Sequence, residues 1–267
     1  MHKKTLFVSV LALALAGNVY AQDEEADAEE ASGPYTFSIT GTFTTDYVWR
    51  GVSQSQEDAA LQGSFDFSHE SGFYAGIWAS SVDFTPKSTL PEDEDGADTE
   101  IDLYVGFSRD FADKWNYDIS AIRYAYPSLK RDQSTITPDN PRGDKRDFSY
   151  NEFIGKLTYD EWLTGTVAYS YDAFAAGEDS LYTALSASYE TPWYGVSITG
   201  EVGYYDFSNF DEGSDFNYVH YGLGLAKEFG PFSTAVQWTD SDNDGESFFG
   251  NTAGSRVFFT VSLSTDL

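Results

Sequence analysis

Residues 35–50 read Tyr35-Thr36-Phe37-Ser38-Ile39-Thr40-Gly41-Thr42-Phe43-Thr44-Thr45-Asp46-Tyr47-Val48-Trp49-Arg50. Tyr35, Phe37, Ile39, Gly41, Phe43, Thr45, Tyr47 and Trp49 fall on one face. Thr36, Ser38, Thr40, Thr42, Thr44, Asp46 and Arg50 fall on the other, with Val48 the exception. A period of two is the signature of a strand whose side chains alternate between two surroundings. One surrounding here is apolar with aromatics near both ends, and the other is small and polar.

The pattern recurs along the chain. Leu61, Gly63, Phe65 and Phe67 oppose Gln62, Ser64, Asp66 and Ser68, and Ile101, Leu103, Val105 and Phe107 oppose Asp102, Tyr104 and Gly106. Similar segments follow near 163–170, 194–204 and 219–226, and the last runs Val257, Phe259, Val261, Leu263 to Leu267. Weaker segments start near Phe73, Trp115, Phe148, Leu181 and Phe232. The reading is about twelve strands of roughly ten residues, the length that crosses a bilayer at a tilt.

The connections alternate. Short ones fall at 70–72, 112–113, 160–161, 191–192 and 230–231. Long ones span 51–60, 85–98, 127–147, 172–179, 207–215 and 240–255. A soluble sandwich has no reason to alternate loop length, whereas an outer-membrane barrel has short periplasmic turns and longer outer loops. Trp115, Trp162 and Trp193 sit beside short connections, and Trp49 and Trp238 beside long ones, as in two interfacial belts. No window after the N-terminal segment reads as a membrane-spanning helix. The expected fold is all-β: a transmembrane, antiparallel, up-and-down barrel over residues 34–267.

The N-terminus fits export. Lys3 and Lys4 precede the apolar run 5–16, and Val19-Tyr20-Ala21 forms a small-x-small cleavage site. Residues 1–21 therefore read as a secretory signal peptide, and 22–33, with six acids and no aromatic, as a disordered leader. The expected location is the bacterial outer membrane.

The chain of 267 residues carries 15 Lys plus Arg against 44 Asp plus Glu, a formal charge of −29. Such a chain repels phosphates, which argues against nucleic acid as a partner. It has no cysteine and three histidines. That excludes thiolate zinc sites and disulfide frameworks. A Ser–His lipid hydrolase needs its His near the outer lipid face. His69 sits at a periplasmic turn and His220 on the inward face, and no Gly-x-Ser-x-Gly is present. The reading is therefore not an enzyme.

Thr45-Asp46-Tyr47-Val48-Trp49-Arg50-Gly51-Val52-Ser53-Gln54-Ser55 resembles a known family. So do Ser68-His69-Glu70-Ser71-Gly72-Phe73-Tyr74-Ala75-Gly76, Tyr126-Pro127 and Asn151-Glu152-Phe153. The chain is similar to the TorF-type porins, also grouped as Gcw conserved hypothetical proteins. The resemblance spans essentially the whole chain after the signal, and its Arg-Gly-x-Ser-Gln core is its most specific part. It implies an outer-membrane, channel-like protein and carries no catalytic or binding residue. The chain ends in Leu267 and not in the terminal Phe common in such barrels.

Parity supplies the candidate pore lining: Asp46, Arg50, Asp66, Asp102, Asp118, Glu152, Lys156, Glu201, His220, Gln237 and Arg256. Acids exceed bases, which favours cations in a water-filled lumen. The alternative is that these charges pair across a narrow lumen and plug it. Arg50 reads as a brace for lumen acids, with a substrate-orienting cation as the alternative. Gly51 and Ser53-Gln54 read as the start of the first outer loop, anchored against the wall. Lys130, Arg131, Arg142, Lys145 and Arg146 make the 127–147 loop basic. It reads as an outward loop meeting acidic loops or lipopolysaccharide phosphates, with an inward constriction as the alternative. Asp240, Asp242 and Asp244 have the spacing of a calcium loop, but Asn251 stands where the closing Glu belongs. A solvated acidic loop is the plainer reading there and at 91–96, and no other cofactor is expected. The function expected is passive diffusion of small solutes or ions, in contact with outer-membrane lipid and lipopolysaccharide. The alternative is a non-conducting structural or surface-interaction barrel with ion-binding outer loops.

Overall fold

The computed structural model describes residues 33–84, 96–127, 131–132, 144–145, 148–211 and 214–267. Twelve antiparallel strands close on themselves. In chain order they are β1 (Tyr35–Thr44), β4 (Ala60–His69), β5 (Phe73–Ser81), β6 (Thr99–Phe111), β7 (Trp115–Ala125) and β10 (Tyr150–Tyr159). The barrel continues with β11 (Leu163–Ser170), β12 (Ser180–Glu190), β13 (Val196–Asp211), β14 (Ser214–Phe229), β15 (Phe232–Ser241) and β16 (Arg256–Asp266). Every barrel strand pairs with its neighbours in sequence, and β1 pairs with β16, from Ser38↔Asp266 to Thr44↔Thr260, to shut the sheet. Closure pairs each strand on both sides, so no edge is left open. Two small hairpins lie outside this ladder: β2 (Val48–Trp49) with β3 (Val52–Ser53), and β8 (Arg131–Asp132) with β9 (Asp144–Lys145).

The alternation sorts side chains as the sequence requires. Ile39, Phe43, Leu61, Leu103, Ile119, Leu223 and Val257 stand exposed around the outside. Their sequence neighbours, such as Ser38, Gln62, Asp102 and Asp118, point inward. Trp115, Trp162 and Trp193 are exposed beside the short connections, and the Trp238 indole donates to Ser255 Oγ (2.9 Å) beside a long one. A continuous apolar girdle of this extent is not the surface of an ordinary soluble monomer.

Three expectations are corrected. First, β1 ends at Thr44, and Tyr47 and Trp49 do not continue its outer face. Both are buried inside the barrel, so Trp49 belongs to no outer belt. Second, the 207–215 connection is not a long loop. Strands β13 and β14 run on as a pair of sixteen residues each, with a register shift between Phe207 and Asp211. Third, the inward face is not uniformly small: its outer half is aromatic, as described below. The 1–21 signal, nearly all of the 22–33 leader, the acidic stretch 91–95 and most of the 127–147 loop lie outside the described residues, as do the side chains of Arg131 and Lys145.

Candidate functional site in the barrel lumen

The first connection folds back into the barrel. Trp49-Arg50-Gly51-Val52 forms a two-residue hairpin turn, with φ +49° at Arg50 and +81° at Gly51. Positive φ at both central positions is what the tightest hairpins demand, and glycine adopts it without strain. Gly51 is also a contact point: a Cβ there would lie 2.5 Å from the His220 Cβ on β14. The turn therefore fits against the opposite wall only because residue 51 has no side chain.

Polar residues fasten the hairpin. Asp46 Oδ1 accepts from Ser53 Oγ (2.5 Å) and Ser55 Oγ (3.1 Å), and its Oδ2 pairs with Arg256 Nη1 on β16 (3.3 Å). Tyr218 OH on β14 donates to the Arg50 carbonyl (2.9 Å). The Gln54 carbonyl accepts from the Asp83 amide (2.8 Å). Asp46 and Arg50 thus do not share a strand face, as the period-two reading had it.

Arg50 crosses the lumen. Its Nη1 and Nη2 reach Glu152 Oε1 and Oε2 on β10 at 2.8 and 2.7 Å, a bidentate pair with both partners buried. Tyr124 OH donates to Glu152 Oε2 (3.1 Å). The guanidinium carbon sits 4.2, 3.9 and 4.6 Å from the ring centres of Trp49, Tyr182 and Tyr205. Burial works against the charge and the Glu152 carboxylate more than offsets it, so the guanidinium is held well above its ordinary range. Of the two sequence readings of Arg50, this geometry is that of the brace.

Around this pair lies an aromatic core inside the barrel. Tyr124 stacks on Tyr150 (4.7 Å), and Phe174, from the turn at Ala173–Ala175, packs on Tyr150 (4.8 Å). Tyr205 meets Trp49 and Phe207 at 5.8 and 4.1 Å. Over the mouth, helix α1 (Asn243–Phe249) lays Phe248 on Phe216 (3.9 Å). The outer half of the lumen is filled.

The other half is different. Thr40–Ser264, Thr42–Ser262 and Thr44–Thr260 face each other across β1 and β16 as hydroxyl pairs at 3.0, 2.8 and 3.1 Å. Tyr74 and Tyr104 lie across the glycines opposite them, Gly106 and Gly76, where a Cβ would come within 2.3 and 2.4 Å of each ring. Those rings deliver their hydroxyls to acids: Tyr74 OH to both Asp118 oxygens (2.9 and 2.8 Å), and Tyr104 OH to Asp66. Lys156 stands opposite Asp118 in the ladder. Back at the level of the hairpin, His220 is buried, 3.0 Å from Tyr182 OH, with Glu201 Oε1 at 4.0 Å from its other ring nitrogen. His69 Nδ1 lies 2.9 Å from Ser71 Oγ at a short turn.

Beneath the hairpin a cavity of about 100 Å³ remains. Its walls include Asp46, Tyr47, Trp49, Trp78, Asp102, Tyr124 and Gln237, with Thr42, Thr260 and Ser262 further along. Sequence reasoning named Asp102 and Gln237 but missed Trp78, Tyr124 and Glu100. Parity alone would have found Glu100, two residues from Asp102 on the same inward face.

The acidic stretch with calcium-loop spacing leads into helix α1. Asp242 is its N-cap: one oxygen accepts from the Gly245 amide (3.0 Å) and the other from the Val219 amide (3.0 Å). Asp240 accepts from the Ser241 amide (3.0 Å). Among the described residues no three His, Asp or Glu side chains gather as metal ligands.

A family described as "Bacterial protein of unknown function (Gcw_chp)" matches residues 28–264. No curated protein matches the chain by sequence. Among solved structures the chain is similar to the KdgM porin in complex with disordered oligogalacturonate, at 7% identity over 87% of this chain and 99% of that one, with TM-score 0.46. It is likewise similar to the NanC porin, at 11% identity, 86% and 100% coverage and TM-score 0.47. LpxR from Salmonella typhimurium matches at 6% identity, 85% and 99% coverage and TM-score 0.46.

Proposed function

We propose that this chain, which belongs to the Gcw_chp family of bacterial proteins of unknown function, is an outer-membrane channel for small solutes that prefers cations. The observation that carries this reading is a closed apolar girdle around a lumen lined by acids, threonines and serines, with a cavity below the hairpin. In hydrocarbon every backbone donor and acceptor must be paired internally, which a closed barrel achieves. The girdle meets lipid, and the outer connections meet lipopolysaccharide. A barrel serving only as an anchor needs no cavity lined by threonines, serines and acids below the hairpin.

The charge preference rests on the lumen inventory. Asp46, Asp66, Asp102, Asp118, Glu152 and Glu201 face Arg50, Lys156 and Arg256, and Glu100 adds a further acid. Low-dielectric walls concentrate such a field and raise the local cation concentration. The hairpin sets the narrowest level, so the expected conductance is small. The sequence resemblance to TorF-type porins points the same way.

Single-channel current from refolded protein in a planar bilayer under a KCl gradient tests this. Stepwise openings with a potassium-favouring reversal potential are expected. A chloride-favouring potential removes the cation preference and keeps the channel. A second reading has its own observation, the buried Arg50–Glu152 closure: the barrel does not conduct and serves a structural or surface-interaction role. A folded, heat-modifiable protein that gives no steps, even after Glu152→Gln, selects that reading.

A further inference from the structure

The cavity below the hairpin has a chemistry of its own. Asp102 is the centre of it. Its side chain is almost fully buried, and its Oδ1 has no hydrogen-bond partner among the described residues. In the ladder it stands directly between two inward-facing aromatics, Trp78 on β5 and Tyr124 on β7. Tyr47 packs edge-on against Trp78 (5.4 Å), which closes a third side, and Trp49 lines the same space. On the facing wall Gln237, also buried, lines the cavity with its Oε1 unpartnered.

The local balance of charge is negative. Arg50 is committed to Glu152 and Arg256 to Asp46. Among the described residues no basic side chain lines the cavity. An uncompensated buried carboxylate is costly, and it is offset either by a proton or by a cation that displaces it. The size of the space selects the cation. About 100 Å³ is far larger than a bare alkali ion, and is comparable with the ~150 Å³ cavity that takes up benzene. Aromatic walls beside a lone carboxylate and an amide suit a charge wrapped in methyl or methylene groups, which gains from ring faces as well as from the acid.

We infer that this chamber binds a small organic cation of the alkylammonium class, with Asp102 as the counter-charge, Tyr47, Trp78 and Tyr124 as the aromatic walls and Gln237 as a polar contact. The inference names the cargo class of the proposed channel and rests on that reading for its role in transport. The binding site itself stands without conduction.

The test is calorimetric titration of the refolded full barrel in detergent with tetramethylammonium chloride, with sodium chloride and neutral tert-butanol as comparison ligands. Tetramethylammonium is expected to bind saturably, one per barrel, and the other two are not. Asp102→Asn is expected to weaken binding about tenfold or more, the scale of one lost charge-assisted contact. Trp78→Leu, which keeps the carboxylate, is expected to weaken it several-fold and serves as the second variant if Asp102→Asn does not fold. Absence of saturable heat, equal binding of sodium, or wild-type affinity in both variants overturns the inference. Binding without conductance keeps the site and removes the channel. Conductance without binding does the reverse.

Discussion

The two halves of the lumen are built from the same twelve strands and obey the same alternation, yet one is an aromatic core packed around a buried charge pair and the other is lined mainly by hydroxyls and by tyrosine–carboxylate pairs. Near the hairpin the inward residues are Tyr124, Tyr150, Tyr182, Tyr205, Phe207 and Tyr218, all nearly inaccessible. Toward the other end they are Thr36, Ser38, Thr40, Ser64 and Ser68, partly or fully exposed. Alternation specifies only which face looks inward. Side-chain volume at each level decides whether the inside is filled, because a barrel of this strand number has an interior that large rings can close. The aromatic half carries a buried charge pair and the other half carries hydroxyl ladders. Perturbations should therefore cost much in the first and little in the second.

The largest effect is expected at Glu152. Glu152→Gln leaves Arg50 charged and unpaired among aromatic rings, and losing one partner of a buried pair costs about 3–5 kcal/mol. The thermal midpoint of heat modifiability should fall steeply. If the hairpin leaves the lumen, single-channel conductance should rise at the same time. Replacing both partners, Arg50→Met with Glu152→Leu, should restore most of the stability, because the desolvation cost disappears with the charges. A single variant as stable as wild type would mean that the pair is hydrated, and the contrast between the halves would collapse.

Gly51→Val comes next. It places a β-branched side chain at φ +81° and within 2.5 Å of the His220 Cβ. Positive φ in a branched residue costs about 1–3 kcal/mol before the clash is counted. The hairpin should detach as a unit, which fluorescence of Trp49 would follow as a red shift. The same substitution at Gly41, on the outward face of β1, meets nothing within 4 Å among the described residues and has no positive φ. Its midpoint should barely move.

The contrast also explains how much was legible beforehand. Strand number and closure followed from periodicity, because one face of every strand had to be apolar and the connections alternated in length. Parity is what proposed the inward set from Asp66 to Arg256. What sequence could not give was the path of residues 45–55. Alternation continues through Tyr47 and Trp49, so the chain reads as one long strand. The departure is made by two φ angles at Arg50 and Gly51 and by a partner, Glu152, that lies 102 positions away. Pairing at that range leaves no local signal. Asp242 is ambiguous in sequence for the opposite reason. Its acidic spacing suits a calcium loop, and the same residue at the start of a helical turn is a strong N-cap, here accepting from the amides of Gly245 and Val219.

The smallest effect is expected at Thr42, and it is the sharpest control. Thr42 Oγ1 meets Ser262 Oγ at 2.8 Å across β1 and β16 in a part-buried position. Thr42→Val keeps the shape and removes the hydroxyl. With water at this wall, Ser262 exchanges one partner for another, so the loss should be at or below the ~1 kcal/mol of a single net hydrogen bond. In a dry interior the orphaned Ser262 would instead cost about 1–3 kcal/mol. The unfolding midpoint of this one variant therefore reports whether water reaches the middle of the barrel. Combining Thr40→Val, Thr42→Val and Thr44→Val lines one wall with methyl groups at nearly constant volume. That triple variant should stay folded while its conductance falls, because ions lose the polar surface along which they pass. If the conductance is unchanged, the conducting path does not run along the β1–β16 wall.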